Sequence, residues 1–392
     1  MHSNSIRTFW IGVAILLVAA FARVYMFGDA PPGLQHDEIF KAQEGTALIT
    51  QGDFRLFYPS NQGHEGLYVW LLGASYLMFG KSVLMIKFPA FVVGMLTVAL
   101  MYRVIGENFN RRVAFIAAGL TAVSFWAVFT NRVGLRANTL PLDALLVIWG
   151  AARIAGVSQS GQWRTVILTG IALGLAIYTY TSSFALYVAF GVFVVTLVIF
   201  QRKVFQAHWR RLALIGVFGI TLALPMVYIR LTDPQGVNRV STISRPLTDL
   251  LAGKPQELLE NGVKLAGMAA FTGDPEWRYN VAGRPLFLLP IGLLVYIGFG
   301  LAIWRVRKQP LLALFLIFAT VGLIPSLLTV SAPSFLRSIL ALPASMLFIG
   351  LAVDAIPSKR AVWGIGLAII VMTGAADWSA YFGTWLQNDE VH

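Results

Sequence analysis

Long apolar runs recur from one end of the chain to the other, separated by short polar connections, and no water-soluble core can hide so many of them. A bilayer crossing takes about 20 predominantly apolar residues. Candidate crossings lie at 8–27, 83–105, 113–130, 140–155, 165–180, 184–200, 212–230, 286–304, 311–329, 338–356 and 361–382. Composition agrees, because 57% of the 392 residues are hydrophobic and only 12% charged, well outside the range of soluble domains. The expected fold class is therefore an all-α polytopic membrane protein with about 11 transmembrane helices. The net charge of +12 does not point to nucleic acid. Its Lys and Arg residues stand in small groups between the apolar runs, as loop anchors do. The chain has no cysteine, which excludes disulfides and thiolate metal sites. The first run carries Arg23 and lacks a small-residue cleavage site, so it reads as a retained span.

One further run, 67–79, decides the orientation of everything after it. It is short for a crossing and carries Tyr68, Trp70, Tyr76 and Phe79, which suits a helix lying in the interface. With that assignment, Arg103/Arg111/Arg112, Arg153/Arg164, Arg202/Lys203/Arg210/Arg211, Arg305/Arg307/Lys308 and Lys359/Arg360 all share the side of Arg7. The positive-inside rule then makes the N-terminus cytoplasmic, with the C-terminus outside, and the expected location is the plasma (inner) membrane. Two large loops, 28–87 and 231–285, face outward, together with short turns at 131–138, 181–183 and 330–337. Residues 37–49 alternate at helical spacing, so the first loop should hold a second juxtamembrane helix with Asp37 near its start. The whole of 1–392 is expected to be a single transmembrane domain, with no separate soluble domain after Phe382.

The candidate chemistry lies in the first outer loop. Acidic groups at a membrane face are costly and usually have a task. Asp37 and Glu38 are neighbours whose side chains diverge by about 100° on a helix, so one carboxylate can face a reacting atom while the other holds a partner. The competing assignment makes them a helix cap and a first-turn acid favoured by the helix dipole. His64 and Glu65, with Glu38, are weak candidates for a divalent metal, against a hydrogen-bonded loop histidine. Cations stand at the outer ends of spans at Lys87, Arg132, Arg136, Arg284 and Arg337. Singly each is a lipid-headgroup anchor; converging, they would clamp a phosphate. Arg136 and Arg337 are the strongest of these, because each sits in a short turn close to the bilayer. Asp143 is placed to hold Arg136, and Asp354 to be structural near the cytoplasmic end. The hydroxyl-rich turn from Tyr178 through Tyr180 to Ser183 can face a sugar or belong to an aromatic belt.

Several motifs recur in a recognisable order: His36-Asp37-Glu38 after the first span, Glu65-Gly66-Leu67-Tyr68, Lys87-Phe88-Pro89, and Asn131-Arg132 followed by Leu135-Arg136. Tyr178-Thr179-Tyr180, the stretch 273–285, and Ala332-Pro333-Ser334-Phe335-Leu336-Arg337 follow them. In this order the chain resembles the GT-C membrane glycosyltransferases that use polyprenyl-phosphate sugars, and is similar to the protein O-mannosyltransferase and lipid A aminoarabinose transferase group. The resemblance implies two juxtamembrane helices in the first outer loop, an enzyme with Asp37 as a catalytic residue, and a lipid-phosphate-linked sugar as donor. Lys87 stands where such proteins often carry Arg. The expected reaction moves a sugar to a hydroxyl on a lipid, glycan or protein acceptor at the outer face, with inversion. Asp37 would be the base, Glu38 and Glu65 positioning groups, and Arg136, Arg337, Lys87 and Arg284 the phosphate partners. The alternative is a transporter or flippase of lipid-linked sugars, which needs the cations and a lipid groove but no base. Release of polyprenyl phosphate separates the two.

Overall fold

The computed structural model describes residues 2–154, 163–232 and 245–391. The predicted connection at 155–162 and the first part of the second large loop, 233–244, lie outside the described residues.

Each predicted crossing contains a helix. In chain order these are α1 (His2–Val24), α4 (Val83–Asn108), the pair α5 (Arg111–Val123) and α6 (Phe125–Arg132), α7 (Leu140–Ile154), α8 (Trp163–Ala176), α9 (Phe184–Phe200), α10 (Arg202–Thr232), α13 (Leu289–Arg305), α14 (Leu311–Leu327), α15 (Leu342–Asp354) and α16 (Lys359–Trp378). The first large loop supplies α2 (His36–Gln51) and α3 (Leu67–Phe79), and the second supplies α11 (Arg245–Leu251) and α12 (Gln256–Ala266). Among the described residues the only strands are a two-stranded antiparallel ribbon, β1 (Phe57–Tyr58) and β2 (His64–Glu65). Among the described residues 4 helical segments are long and apolar enough to cross a bilayer, and the bent pair α5/α6 makes up to 5. Other predicted crossings have shorter regular helices, two of them preceded by 3-10 turns, at Arg136–Thr139 before α7 and Ile339–Ala341 before α15.

Capping residues set several helix ends. Ser82 Oγ accepts from Met85 N ahead of α4, Asn110 Oδ1 accepts from Arg112 N and Val113 N ahead of α5, and Ser358 Oγ accepts from Ala361 N ahead of α16. Asn110 also donates to Asp354 at 2.7 Å, and Arg112 pairs with the same carboxylate at 2.7 Å, so Asp354 is a structural acid. Helix α5 is the hub, packed against α1, α4, α15 and α16. Its Ala114, Ala117, Ala118 and Ala122 are all buried, and small side chains let neighbouring backbones approach.

At Ser124 the chain leaves helical geometry (φ −65°, ψ 141°) and the axis turns by 49° into α6. The Phe125 N–H freed by the break donates to Asp377 Oδ2 at 2.6 Å. Helix α6 then delivers Asn131 and Arg132 to the end of α1. Arg132 is wholly buried, and its guanidinium donates to the carbonyls of Ala22, Arg23, Met26 and Ala30 at 2.9–3.2 Å. Arg23, equally buried, donates to Asn131 Oδ1 at 3.0 Å and to the carbonyls of Ala19, Ala122 and Thr121. The two cations bind carbonyls toward the end of α1, in the turn after it and at the end of α5, so Arg132 is an internal strut, not a headgroup anchor. Arg132→Ala strands the carbonyls of Ala22 and Arg23, which the helix end leaves without an intrahelical donor, at roughly 1–3 kcal/mol each. The expected outcome is a clearly lowered melting temperature in detergent, followed by tryptophan fluorescence; unchanged melting would remove the strut.

Candidate active site

Helix α2 is set by its own first turn. Glu38 Oε2 reaches back to accept from Gln35 N at 2.9 Å, and its Oε1 accepts from Gly134 N at 2.7 Å. One turn on, Lys41 Nζ donates to Gly134 O at 2.8 Å and lies 5.3 Å from the Tyr68 ring centre. Both backbone groups of Gly134 are therefore held by α2, which fixes the α6–α7 connection and Arg136 within it. A Cβ at residue 134 would approach Glu38 Oε1 and the Tyr68 hydroxyl to 3.1 Å, so glycine lets the two segments touch.

Asp37 diverges from Glu38 and faces the loops. Its Oδ1 accepts from Asn61 Nδ2 at 2.6 Å and its Oδ2 pairs with Arg278 Nη2 at 3.0 Å, with the carboxylate 25% exposed. Burial alone would raise the Asp37 carboxyl, but Lys41, Arg278, the Asn61 hydrogen bond and Arg136 together outweigh it and hold it at about 2. Burial lowers the neighbouring Lys41 ammonium to about 8, against the attraction of Asp37.

A second carboxylate organises the other side. Glu65, on β2 and 1% exposed, takes Arg230 from the end of α10 and Thr181 Oγ1 at 3.1 Å on Oε1, and pairs with Arg136 Nη1 at 3.2 Å through Oε2. The Arg136 guanidinium lies 5.5 Å from the Tyr180 ring centre, and that of Arg230 5.2 Å from Phe184. A third wall comes from the chain after α12. Asp274 Oδ1 accepts from Glu276 N at 3.0 Å and Oδ2 from Phe335 N at 2.7 Å, which fastens the 273–284 loop to the segment carrying Arg337. Burial pushes the Asp274 carboxyl up to about 6 in spite of both N–H groups. Arg337 Nη1 is buried without a hydrogen-bond partner, and its charge acts on Asp274 and Tyr279. Buried donors are rarely left unpaired. Four residues beyond Arg337, Ala341 joins Leu286, Val295, Phe299 and Phe348 around an apolar cavity of about 290 Å³ among α12, α13, α14 and α15.

The structure thus gathers Asp37, Arg136, Glu65 and Tyr180, with Arg337 on the facing loop. Other predicted residues are engaged elsewhere. Lys87 is wholly buried and donates to Pro31 O at 3.2 Å, tying down the first loop. Arg284 pairs with Asp377 and faces the Phe125 ring. His64 pairs with Glu44 at 2.9 Å, Glu38 serves two N–H groups, and Glu65 serves two arginines. Among the described residues no three His, Asp or Glu side chains are grouped to hold a metal. Sequence reasoning missed Arg230 and Arg278. Arg230 looks like any cation closing a span, and Arg278 stands inside the quoted 273–285 stretch, where its aromatic neighbours Trp277 and Tyr279 were the available signal.

Residues 66–229 match the family model described as dolichyl-phosphate-mannose-protein mannosyltransferase. No curated protein sequence shows significant similarity to the chain. Among solved structures, ArnT from Cupriavidus metallidurans bound to undecaprenyl phosphate superposes with a TM-score of 0.60 at 17% identity, over 95% of this chain and 64% of that one. The archaeal oligosaccharyltransferase AglB from Archaeoglobus fulgidus, in complex with an inhibitory peptide and a dolichol-phosphate, superposes with a TM-score of 0.59 at 16% identity, over 97% of this chain and 56% of that one. The chain has the GT-C fold. It spans under two thirds of the length of either GT-C neighbour. The family match takes in Arg136 and Tyr180 but stops one residue short of both Glu65 and Arg230, and leaves Asp37, Arg278 and Arg337 outside. In this GT-C chain the charged cluster is therefore assembled from inside and outside the matched segment.

Because Asp37 is depressed from the ordinary 3.8 to about 2, it is ionised across the physiological range. Whatever its pairing contributes is fully present above pH 3.8 and is lost only as pH falls through about 2. Arg278→Ala should move the Asp37 carboxyl band in infrared titration, with Asp37→Asn as reference, up toward the ordinary value. A band that stays put would mean that Arg278 does not act on it.

Proposed function

We propose that the chain is an inverting glycosyltransferase that moves a sugar from a polyprenyl-phosphate donor to a hydroxyl acceptor at the outer face of the plasma (inner) membrane, with a cytoplasmic N-terminus. The observation that carries this reading is the pairing of Asp37 with Arg278 in the electrostatic reach of Lys41 and Arg136. The partnerless Nη1 of Arg337 supports it. A carboxylate beside surplus cations is what attack by a hydroxyl on a sugar phosphate requires. The base meets the nucleophile, and the cations meet the negative charge that gathers on the departing phosphate. The two neighbours whose structures hold undecaprenyl phosphate and dolichol-phosphate support a donor of that chemical class. Loop charge supports the orientation.

In the proposed reaction the donor phosphate engages Arg337 and Arg278, with Arg136 and Arg230 held beside it by Glu65. The apolar cavity lined by Ala341, Leu286 and Phe348 takes part of the prenyl tail. A phosphate that draws Arg278 away removes one of the charges that depress Asp37, so its carboxylate becomes a stronger base when donor is bound. Asp37 then accepts the acceptor hydroxyl proton as the oxygen attacks C1 opposite the phosphate, a single displacement that inverts the anomeric centre. Glu38 acts at one remove, by fixing α2 against Gly134.

Asp37→Asn should leave a folded protein whose release of polyprenyl phosphate from a lipid-linked sugar falls by roughly 10²–10⁴. Near-normal turnover would reject Asp37 as base, and a wild-type protein that moves the lipid across vesicles without releasing polyprenyl phosphate would favour the transporter. Arg136→Ala and Arg337→Ala should each weaken donor use by about tenfold or more. Donor affinity unchanged in both would return them to headgroup anchors.

A further inference from the structure

Asp37 is oriented by Asn61, and Asn61 sits in a backbone conformation that needs support. Asn61, Gln62 and Gly63 all have positive φ, at 50°, 63° and 81°. The left-handed region is disfavoured for residues that carry a Cβ, and three in succession bend the chain back sharply. At Gly63 a Cβ would also approach Phe57 Cζ to 2.4 Å. The turn is closed by Gly63 N donating to Ser60 O at 2.9 Å.

One side chain from outside the turn holds both of its ends. Glu44, on α2, accepts from Ser60 Oγ on Oε1, and its two oxygens lie 3.1 and 2.9 Å from His64 Nε2. His64 is 2% exposed and stacked on Tyr58, with ring centres 5.8 Å apart. Asp37 and Glu44 are seven residues apart, two helical turns, so they share a face of α2. The turn lies along that face, pinned at Ser60 and His64 by Glu44 and touching Asp37 through Asn61. The residue after His64 is Glu65, whose carboxylate holds Arg136 and Arg230.

We infer that Glu44 is a positioning residue for this site: by clasping Ser60 and His64 it holds the 61–63 turn, which fixes Asn61 against Asp37 and sets Glu65 before its two arginines. The inference rests on the glycosyltransferase reading for its activity readouts and on the fold alone for its structural one. Glu44 touches no reacting atom in this arrangement. With His64 Nδ1 facing the Glu65 carbonyl at 3.4 Å, one proton lies between Nε2 and Glu44. A glutamine, whose amide both accepts and donates, reproduces both contacts, whereas alanine loses both.

The test is a double-mutant cycle in lipid nanodiscs, with release of polyprenyl phosphate from a lipid-linked sugar as the assay. Glu44→Ala and Asn61→Ala should each lower kcat by about tenfold or more, as small misplacements of a base do. The double mutant should be no slower than the slower single mutant, because the two act through one contact. Glu44→Gln should stay within about threefold of wild type. Multiplying losses, or a Glu44→Ala protein with wild-type kcat, would overturn the inference. Amide hydrogen exchange supplies the readout that needs no turnover: residues 59–66 should exchange faster in Glu44→Ala and at the wild-type rate in Glu44→Gln. If the wild type releases no polyprenyl phosphate, the transfer reading fails by itself, and equal exchange in Glu44→Ala and wild type would still overturn the clasp.

Discussion

The candidate site is registered against the backbone of a single residue, Gly134. Gly134 gives its N–H to Glu38 and its carbonyl to Lys41, at 2.7 and 2.8 Å, so a helix of the first loop and the connection after α6 are locked at one point and in one orientation. The side chains that flank this joint are the ones with chemistry: Asp37 precedes Glu38, and Arg136 follows Gly134 by two residues. Displacing the joint would separate the acid from the arginine without touching either. Charged partners make it a stiff joint, since hydrogen bonds to ionised groups are shorter and stronger than those between neutral ones.

The charges around this joint are unevenly paired. Asp37 is shared between Asn61 and Arg278, and Glu65 between Arg136 and Arg230, while among the described residues no carboxylate forms an ion pair with Lys41 or Arg337. Partly buried cations without a direct carboxylate partner are unfavourable in a protein interior unless something neutralises them. In the proposed reaction the donor phosphate supplies that neutralising charge. The wholly buried cations are different in kind. Arg23, Arg132 and Lys87 are spent on backbone carbonyls, where they are structural and take no part in that imbalance.

How much of this a sequence can reveal depends on whether the deciding partner is near in the chain. The helices follow from periodicity and length, and α3 runs over Leu67–Phe79 as its apolar stretch predicts. Asp37 near the start of α2 is likewise a local matter. The fate of Glu38 is not, because its partner Gly134 lies 96 positions away. Lys87 and Arg284 look from sequence like Arg136, a cation at a span end. Only the fold shows that Lys87 meets Pro31 and Arg284 meets Asp377, whereas Arg136 meets Glu65. Arg278 and Arg230 are hidden for the same reason, since the carboxylates that they meet, at 37 and 65, lie far from them in the chain.

Asp377 bears on the order in which the molecule is completed. One of its oxygens caps the broken helix at Phe125, from which Arg132 and Arg136 hang, and the other holds Arg284, at the foot of the loop that presents Arg278. A chain emerges from the ribosome N-terminus first. Both segments are therefore synthesised long before the carboxylate that ties them together, and they wait on the nascent chain for α16. The two parts of the charged cluster acquire this common fastening only when α16 docks, after both of the segments it joins have been made.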